Sequence, residues 1–546
     1  MGRTTRTGER GKLWVPDEPT WWQRGIVYQI YPRSFRDASG DGVGDLAGIR
    51  EKADYLAWLG IDAVWLSPIY PSPDVDLGYD ISDYRDIHPA FGTLEEFDAL
   101  VAALHERGIK LILDLVPNHT SDQHSWFLES RDPGSERHDW YVWREGRSDG
   151  SPPNNWVSYF GDPAWRYLDP PGKWYLHSFD PGQPDLNWDN PQVQEAIHDA
   201  MRFWLDRGVD GFRVDVLWLL GKDPELRDNP PDPDWHEALP LRLKLHRVHS
   251  EDGPDAHERA RSLRAVIDEY PDRVMIAELV LPPARAVTYH GAALDEAHMP
   301  HNFALTELRE WTAEAVRAEV EAYEAVLPEG AWPNWLLGDH DFPRIASRVG
   351  PERVRLLHML LLTLRGTPTW YYGDELGLPN AVVPTSKAAF PDPQAALGTA
   401  LDRLPVRSPM QWSPGPNAGF SESEPWLPLA SDDPAMTVQV QGEDPDSVLN
   451  LFRSLVRLRK QTSALAVGAY RTLPAPEGVF SFERFHPDGT VQVHLNFGEG
   501  PGEVEIPEGA EILLSTAGEG SALLAGRLGL RGHEGVIVSR PEHRSR

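Results

Sequence analysis

The sequence predicts an α/β protein: a (β/α)8 TIM barrel with a subdomain inserted after its third strand and a C-terminal antiparallel β-sandwich. Three observations point there. From Trp21 onward, short β-branched and aromatic runs alternate with longer helical patterns, as in a parallel sheet joined by crossover helices. Residues 120–185 break that rhythm with a stretch rich in Trp, Tyr, Gly and Pro. Beyond Gln461 the helical pattern stops, and alternating runs at 479–485 and 490–496, separated by Gly and Pro turns, lead towards the C-terminus.

Taken in order, strands are expected at 26–31, 61–66, 110–116, 211–216, 274–279, 302–305, 334–338 and 367–372, the sixth carrying the weakest pattern. Eight such strands favour a closed barrel, with a doubly wound open sheet as the alternative. Residues 223–258, dense in Pro, Asp and His, are expected to form a long loop after the fourth strand. The expected division is therefore a barrel over 1–119 and 186–461, an inserted substrate-binding subdomain over 120–185 and a β-sandwich over 462–546.

Composition narrows the function. A chain of 546 residues, 40% hydrophobic, with 21 Trp and 16 Tyr can bury a large core and fill two or three domains. Its formal charge of -32 would repel a phosphate backbone, so nucleic acid and anionic membranes are poor partners. Having no cysteine, it can hold no disulfide, thiolate metal site or cysteine nucleophile. The first twenty residues carry charge and Pro without an apolar core, so neither a leader nor an anchor is expected, and a cytoplasmic location is. The apolar run at 359–364 ends at Arg365 and Gly366, far short of the roughly 20 residues a membrane span needs.

In parallel α/β folds, reactive groups gather at the carboxyl ends of strands. Here the third strand closes as D-L-V-P-N-H (Asp114, Asn118, His119), the fourth as G-F-R-V-D (Arg213, Asp215), the fifth as I-A-E (Glu278) and the seventh as G-D-H-D (His340, Asp341). Arg213 lies two residues before Asp215, so on a strand both share a face, and the guanidinium is expected to favour an ionised Asp215. Glu278 ends an apolar strand, where desolvation beside other carboxylates would keep it protonated. Two carboxyls of opposed protonation, with Asp341 as a third, fit glycoside hydrolysis better than phosphoryl transfer. No nucleotide-binding fingerprint, G-x-S-x-G elbow or H-E-x-x-H helix is present, and no organic cofactor is expected. Of the aromatic residues, Tyr79, near Asp76, and Phe179 stand out as sugar-stacking candidates. Separately, D-A-S-G-D-G-V-G-D-L places Asp37, Ser39, Asp41 and Asp45 at alternate positions around Gly42, with the Val43 carbonyl available. Such oxygen ligands suit one structural Ca2+ or Mg2+.

These motifs resemble the α-amylase family of glycoside hydrolases, in its oligo-1,6-glucosidase and α-glucosidase branch. The likeness runs from W-W-Q-R-G-I-V-Y-Q-I-Y-P-R-S-F through D-L-G-Y-D-I-S-D-Y, D-L-V-P-N-H-T-S, Q-P-D-L-N-W, G-F-R-V-D-V and T-P-T-W-Y-Y-G-D-E-L-G to R-S-P-M-Q-W. The resemblance implies that Asp215 is the nucleophile, Glu278 the acid/base and Asp341 the transition-state stabiliser. It further implies that Asp76, Tyr79, His119, Arg213, His340 and Arg403 hold the non-reducing glucose, with Phe179 and Gln183 as wall residues. Asp37, Ser39, Asp41, Val43 and Asp45 match the family's calcium-type loop, with Ser39 where asparagine is usual. The chain also has Asp339-His340-Asp341 where N-H-D is usual, and Ala277-Glu278 where G-E is usual; an inward-pointing Asp339 would raise neighbouring pKa values.

The expected activity is retaining, exo-acting hydrolysis of α-glucoside disaccharides and short oligosaccharides. Val216, after the nucleophile position, resembles the α-1,6-active enzymes and so points to isomaltose-type substrates; maltose, sucrose and trehalose are further candidates. Glucosyl transfer or isomerisation, as in sucrose isomerases and trehalose synthases, uses the same intermediate, and a silent scaffold or transporter partner on this fold is a third reading. Whether the chain is a monomer or a homo-oligomer is not readable from the sequence.

Overall fold

The computed structural model describes residues 14–237, 239–384, 392, 402–518, 523, 524 and 526–540. The first 13 residues, on which the expected lack of a leader partly rests, lie outside them.

Eight parallel strands close into a barrel, as the alternation predicts: β1 (Val27–Ile30), β2 (Ala63–Leu66), β3 (Lys110–Leu115), then, after an excursion carrying β4 to β6, β7 (Gly211–Val214), β8 (Val274–Ala277), β9 (Met299–Asn302), β10 (Asn334–Leu336) and β11 (Thr367–Tyr371). The sixth barrel strand is corrected: it is β9, three residues earlier than 302–305. Its M-P-H-N sequence has no strand-like pattern, and it is held by its neighbours, Ala277 opposite Pro300 and Asn334 opposite His301. The apolar 303–305 run lies just beyond it, with Leu305 buried in the outer core.

Alternate residues of each strand face opposite sides. Val27, Ala63, Trp65, Ile112, Val274, Ile276 and Met299 share one buried cluster inside the barrel. Tyr28, Val64, Leu111, Leu113, Phe212 and Met275 join Leu100, Leu104, Val193, Ile197 and Leu263 of the surrounding helices. Those helices start where their sequences say they should. Thr93 accepts from the Glu96 amide while Glu96 accepts from the Thr93 amide at 2.9 Å, starting Leu94–Glu106, and Asn190 before Pro191 starts Pro191–Asp206.

The excursion between β3 and β7 forms a three-stranded sheet of β4 (Trp143–Arg144), β5 (Trp165–Leu168) and β6 (Lys173–Leu176). His119 pairs with Asp185 where the chain leaves the barrel and returns. The long loop after β7 packs on this sheet's connections: Trp156 Nε1 donates to the Arg227 carbonyl at 2.8 Å and Arg147 pairs with Asp228 at 2.6 Å.

Helical structure does not stop at Gln461: a short helix, Ser463–Val467, follows Val448–Gln461. Strands β12 (Ala469–Leu473), β13 (Val479–His486), β14 (Gly489–Asn496), β15 (Gly502–Glu505), β16 (Ile512–Ser515), β17 (Leu523–Leu524), β18 (Arg527–Leu530) and β19 (Gly535–Ser539) then make two antiparallel sheets. Their orders are β12-β13-β14-β19-β16 and β15-β18-β17, and Val479, Val504, Leu528, Leu530, Val536 and Val538 fill the space between them. Among the described residues no helix is long and apolar enough to cross a membrane.

Candidate active site

The alternation that packs the barrel interior also builds the site. Continuing the inward rows past Val27, Ile112, Gly211 and Ile276 brings Gln29, Asp114, Arg213, Asp215 and Glu278 to the carboxyl-end rim. Arg213 is their hub. Its guanidinium, buried and 5.0 Å from the Trp65 ring centre, donates from Nη1 to Asp215 at 2.6 Å and Asp114 at 2.9 Å, and its Nη2 forms an ion pair with Glu278 at 2.9 Å. Val216, turned to a left-handed φ of 39°, donates its backbone N–H to Glu278 Oε2 at 3.0 Å.

Electrostatically the cluster departs from one expectation. Burial, then the charge of Glu278, push the Asp215 carboxyl above its ordinary range, and Arg213 opposes them without prevailing. Burial likewise lifts Asp114 to about 6 against Arg213. Asp341 goes the other way: burial opposes ionisation, but His340, Arg403 and Arg407 hold its carboxyl low. Arg407 Nη2 reaches Asp341 at 2.7 Å and Arg403 Nη1 at 3.2 Å, so both arginines of the R-L-P-V-R segment meet this carboxylate. Asp339 points inward, accepts the Asp341 amide at 2.8 Å and is pushed to about 7 by burial and by Asp341.

The residues expected to hold sugar form a buried, mutually bonded set. Arg403 pairs with Asp76 at 2.5 Å, and the Gln183 amide lies 3.1 Å from both Asp76 and His119 Nε2. Tyr79 donates to Asp114 at 2.9 Å and stacks on His340, ring centres 5.3 Å apart. The Gln29 amide, 2.8 Å from His340 Nδ1, donates to it, which leaves the ring proton on Nε2, 3.5 Å from Asp341. Phe179 stands farther out, packed on His119 and Tyr159. A cavity of about 320 Å³ is lined by Glu278 and Asp341 together with Tyr159, Phe179, Trp218 and Arg242. A larger groove of about 670 Å³, between Trp58 and the helix Val448–Gln461, meets none of the strand-end carboxylates, so size does not locate the chemistry.

Sequence reasoning did not single out Gln29, Tyr159, Trp218, Arg242 or Asp392 for the site. Asp392 grips Arg403 at 2.8 Å. The inward row through Val27 could have revealed Gln29; Arg242 and Tyr159 sit in irregular segments that carry no such periodicity.

In the Asp37–Asp45 loop, Asp37 accepts from Gly40, Gly42, Ser39 and Ser421, and Asp45 from Ala38, Ser39 and Gly48. Asp41 is exposed, and its carboxylate accepts from the Val43 amide. Three carboxylates, a hydroxyl and a carbonyl are the oxygen-only donors a hard cation takes, and Asp41 and Asp45 retain acceptor capacity, but the carboxylates of Asp37, Asp41 and Asp45 are not gathered within 4.8 Å of one another.

The alpha-amylase catalytic domain matches residues 29–468, most of the chain. This chain belongs to the α-amylase family of glycoside hydrolases. Within the family it is 36% identical over 529 residues to an oligo-1,6-glucosidase of Parageobacillus thermoglucosidasius, covering 90% of this chain and 93% of that one. It is 39% identical to a probable alpha-glucosidase of Rhizobium meliloti (strain 1021), covering 91% and 92%. The solved structure of an alpha-glucosyl transfer enzyme, XgtA, superposes with a TM-score of 0.90 at 39% identity, covering 96% of this chain and 100% of that one. The chain is thus a glycoside hydrolase of the α-glucosidase branch.

Proposed function

We propose that the enzyme removes terminal α-linked glucose from disaccharides and short oligosaccharides, isomaltose and maltose foremost, with retention of configuration. The observation that carries this is the Arg213 fork, which places the carboxyls of Asp215 and Glu278 on adjacent nitrogens of one guanidinium. Burial and mutual repulsion let such a pair keep one proton. The double displacement takes the anion on Asp215 and the proton on Glu278. Asp215 then attacks the anomeric carbon while Glu278 gives its proton to the leaving oxygen, which takes the electrons of the broken bond; in the second step Glu278 takes a proton from water, and the hydroxide released to the anomeric carbon displaces Asp215. Asp341, held ionised, faces the positive charge that develops on the sugar ring. Asp76, Tyr79, His119, Arg213, His340 and Arg403 hold the glucose, with Gln183 and Phe179 as walls. Asp37, Ser39, Asp41, Val43 and Asp45 would hold a structural Ca2+ or Mg2+, which takes no part in these steps.

Glucosyl transfer is the second reading, favoured by the likeness to XgtA and by the aromatic residues Tyr159 and Trp218 that line the cavity with Glu278. Both are tested by incubating the enzyme with isomaltose, maltose, sucrose and trehalose while following anomeric protons by NMR. Initial release of α-glucose supports the retaining hydrolase. New disaccharides in place of glucose support transfer, and initial β-glucose would overturn the double displacement.

A further inference from the structure

The cavity lined by Glu278 has a charged wall that the reaction as described does not use. Asp341 and Phe179, which the glucose meets on the reading above, also line this cavity, so with Glu278 protonating the leaving oxygen its remaining wall faces the leaving group. Arg242, on the short turn Leu241–Leu243 of the long loop after β7, lines the same cavity as Glu278. Its neighbours are ordered around it. Arg247 lies over the Tyr159 ring, 4.1 Å from the centre, and donates to the carbonyls of Ser158 at 3.1 Å and Arg242 at 3.4 Å. Tyr159 in turn donates to Glu251 at 2.5 Å and stacks on Phe179.

Arg242 itself has no acceptor among the described residues. Among the described residues no carboxylate or carbonyl takes a hydrogen bond from its guanidinium, and its Nε is buried without a partner. The charged group that acts on it is a second cation, Arg247, and together with burial this pushes its pKa down. The other charged groups lining the cavity, Glu278, Glu307, Asp341 and Asp402, are acids. Glu278 and Asp341 are already held by Arg213, Arg403 and Arg407. In a chain of charge -32, a half-buried arginine lining a reactive cavity, without a counter-ion among the described residues, calls for an anion from outside.

We propose that Arg242 binds an anionic group on the leaving side of the cleaved bond, so that α-glucosides of small hydroxy acids are cleaved in preference to their neutral counterparts. This rests on the α-glucosidase reading above and names a substrate class for it. The glucose enters the buried polar set, its glycosidic oxygen meets Glu278, and a carboxylate one or two carbons away reaches the guanidinium. A charge-assisted bond of this kind corresponds to about a tenfold or larger gain in kcat/KM.

The test compares 2-O-α-glucosylglycerate with 2-O-α-glucosylglycerol, which share a carbon skeleton and differ in the carboxylate, by glucose release from the purified enzyme and from Arg242→Gln and Arg242→Lys. The ratio of the two kcat/KM values on one preparation is independent of how much of a variant folds. The expected result is a ratio of about ten or more in the wild type, shrinking as sodium chloride is raised, near one or below in Arg242→Gln and partly kept in Arg242→Lys. A wild-type ratio of one or less, or the same ratio in Arg242→Gln, overturns the inference while leaving the glucosidase intact. Failure to release glucose from either glucoside and from isomaltose overturns the underlying reading and this inference with it.

Discussion

Arg213 draws Asp215 towards the anion at 2.6 Å, yet burial and Glu278 win, because a carboxyl removed from water beside another carboxyl gains more from a proton than one guanidinium shared among three acids can offset. The same logic gives two expected outcomes. Glu278→Gln should lower kcat/KM on disaccharides by about 10²- to 10⁴-fold. An aryl glucoside with an acidic phenol, whose leaving oxygen needs little protonation, should lose far less in the glycosylation step; equal losses on both would remove Glu278 from the acid's role. Asp339, pushed from an ordinary 3.8 to about 7, holds a proton in the folded state over a window where the unfolded chain has released it. Its contribution therefore falls as pH rises from about 4 to about 7 and stays low above that. Asp339→Asn should then raise the melting temperature more at about pH 8 than at about pH 4, and an equal change at both would show that Asp339 does not titrate there.

At the scale of elements, the two-residue period of strands was readable and carried much of the site with it. Asp114, Arg213, Asp215 and Glu278 fall on the inward rows of β3, β7 and β8, so strand assignment alone brought them to one rim. Short strands held by partners were less readable: β9 contains Pro300 and His301, and its pairing decides its place. The close approach of β7 to β8 rests on Gly211, where a Cβ would lie 2.2 Å from the Val274 carbonyl oxygen. Gly211→Ala is expected to cost about 1–3 kcal/mol in chemical denaturation. It should also lower kcat more than it raises KM, since those two strands aim Arg213, Asp215 and Glu278. A variant as stable and as active as the wild type would show that the strands part without moving their ends. The loop after β7 is the opposite case: its Pro- and His-rich sequence announces a loop, but contacts at Trp156, Tyr159 and Asn229 decide which side chain enters the cavity.

For the whole molecule, the Asp37–Asp45 loop joins parts far apart in the chain: Asp37 accepts from Ser421 at 2.6 Å, its amide donates to Phe420 at 3.1 Å, and Trp426 donates to Gly42 at 3.0 Å. A cation bound there in the folded state alone should stabilise by about 2.7 kcal/mol at a hundredfold excess over its Kd. Melting temperature should accordingly rise when Ca2+ or Mg2+ is added to chelator-treated enzyme, and identical melting with and without the ion would remove the site. What the sequence determined by itself was periodic or local: seven of the eight barrel strands, the excursion after β3, the alternating C-terminal runs and the carboxyl-ended strands, since each depends on neighbours a few residues away. What the tertiary structure alone decided was how charges divide among groups from distant segments: Arg213 shared by three acids, Asp341 held by Arg403 and Arg407, Asp339 turned inward, and Arg242 left without a counter-ion among the described residues. Those balances depend on burial and on distances of a few ångströms across the fold, which no spacing along the chain encodes.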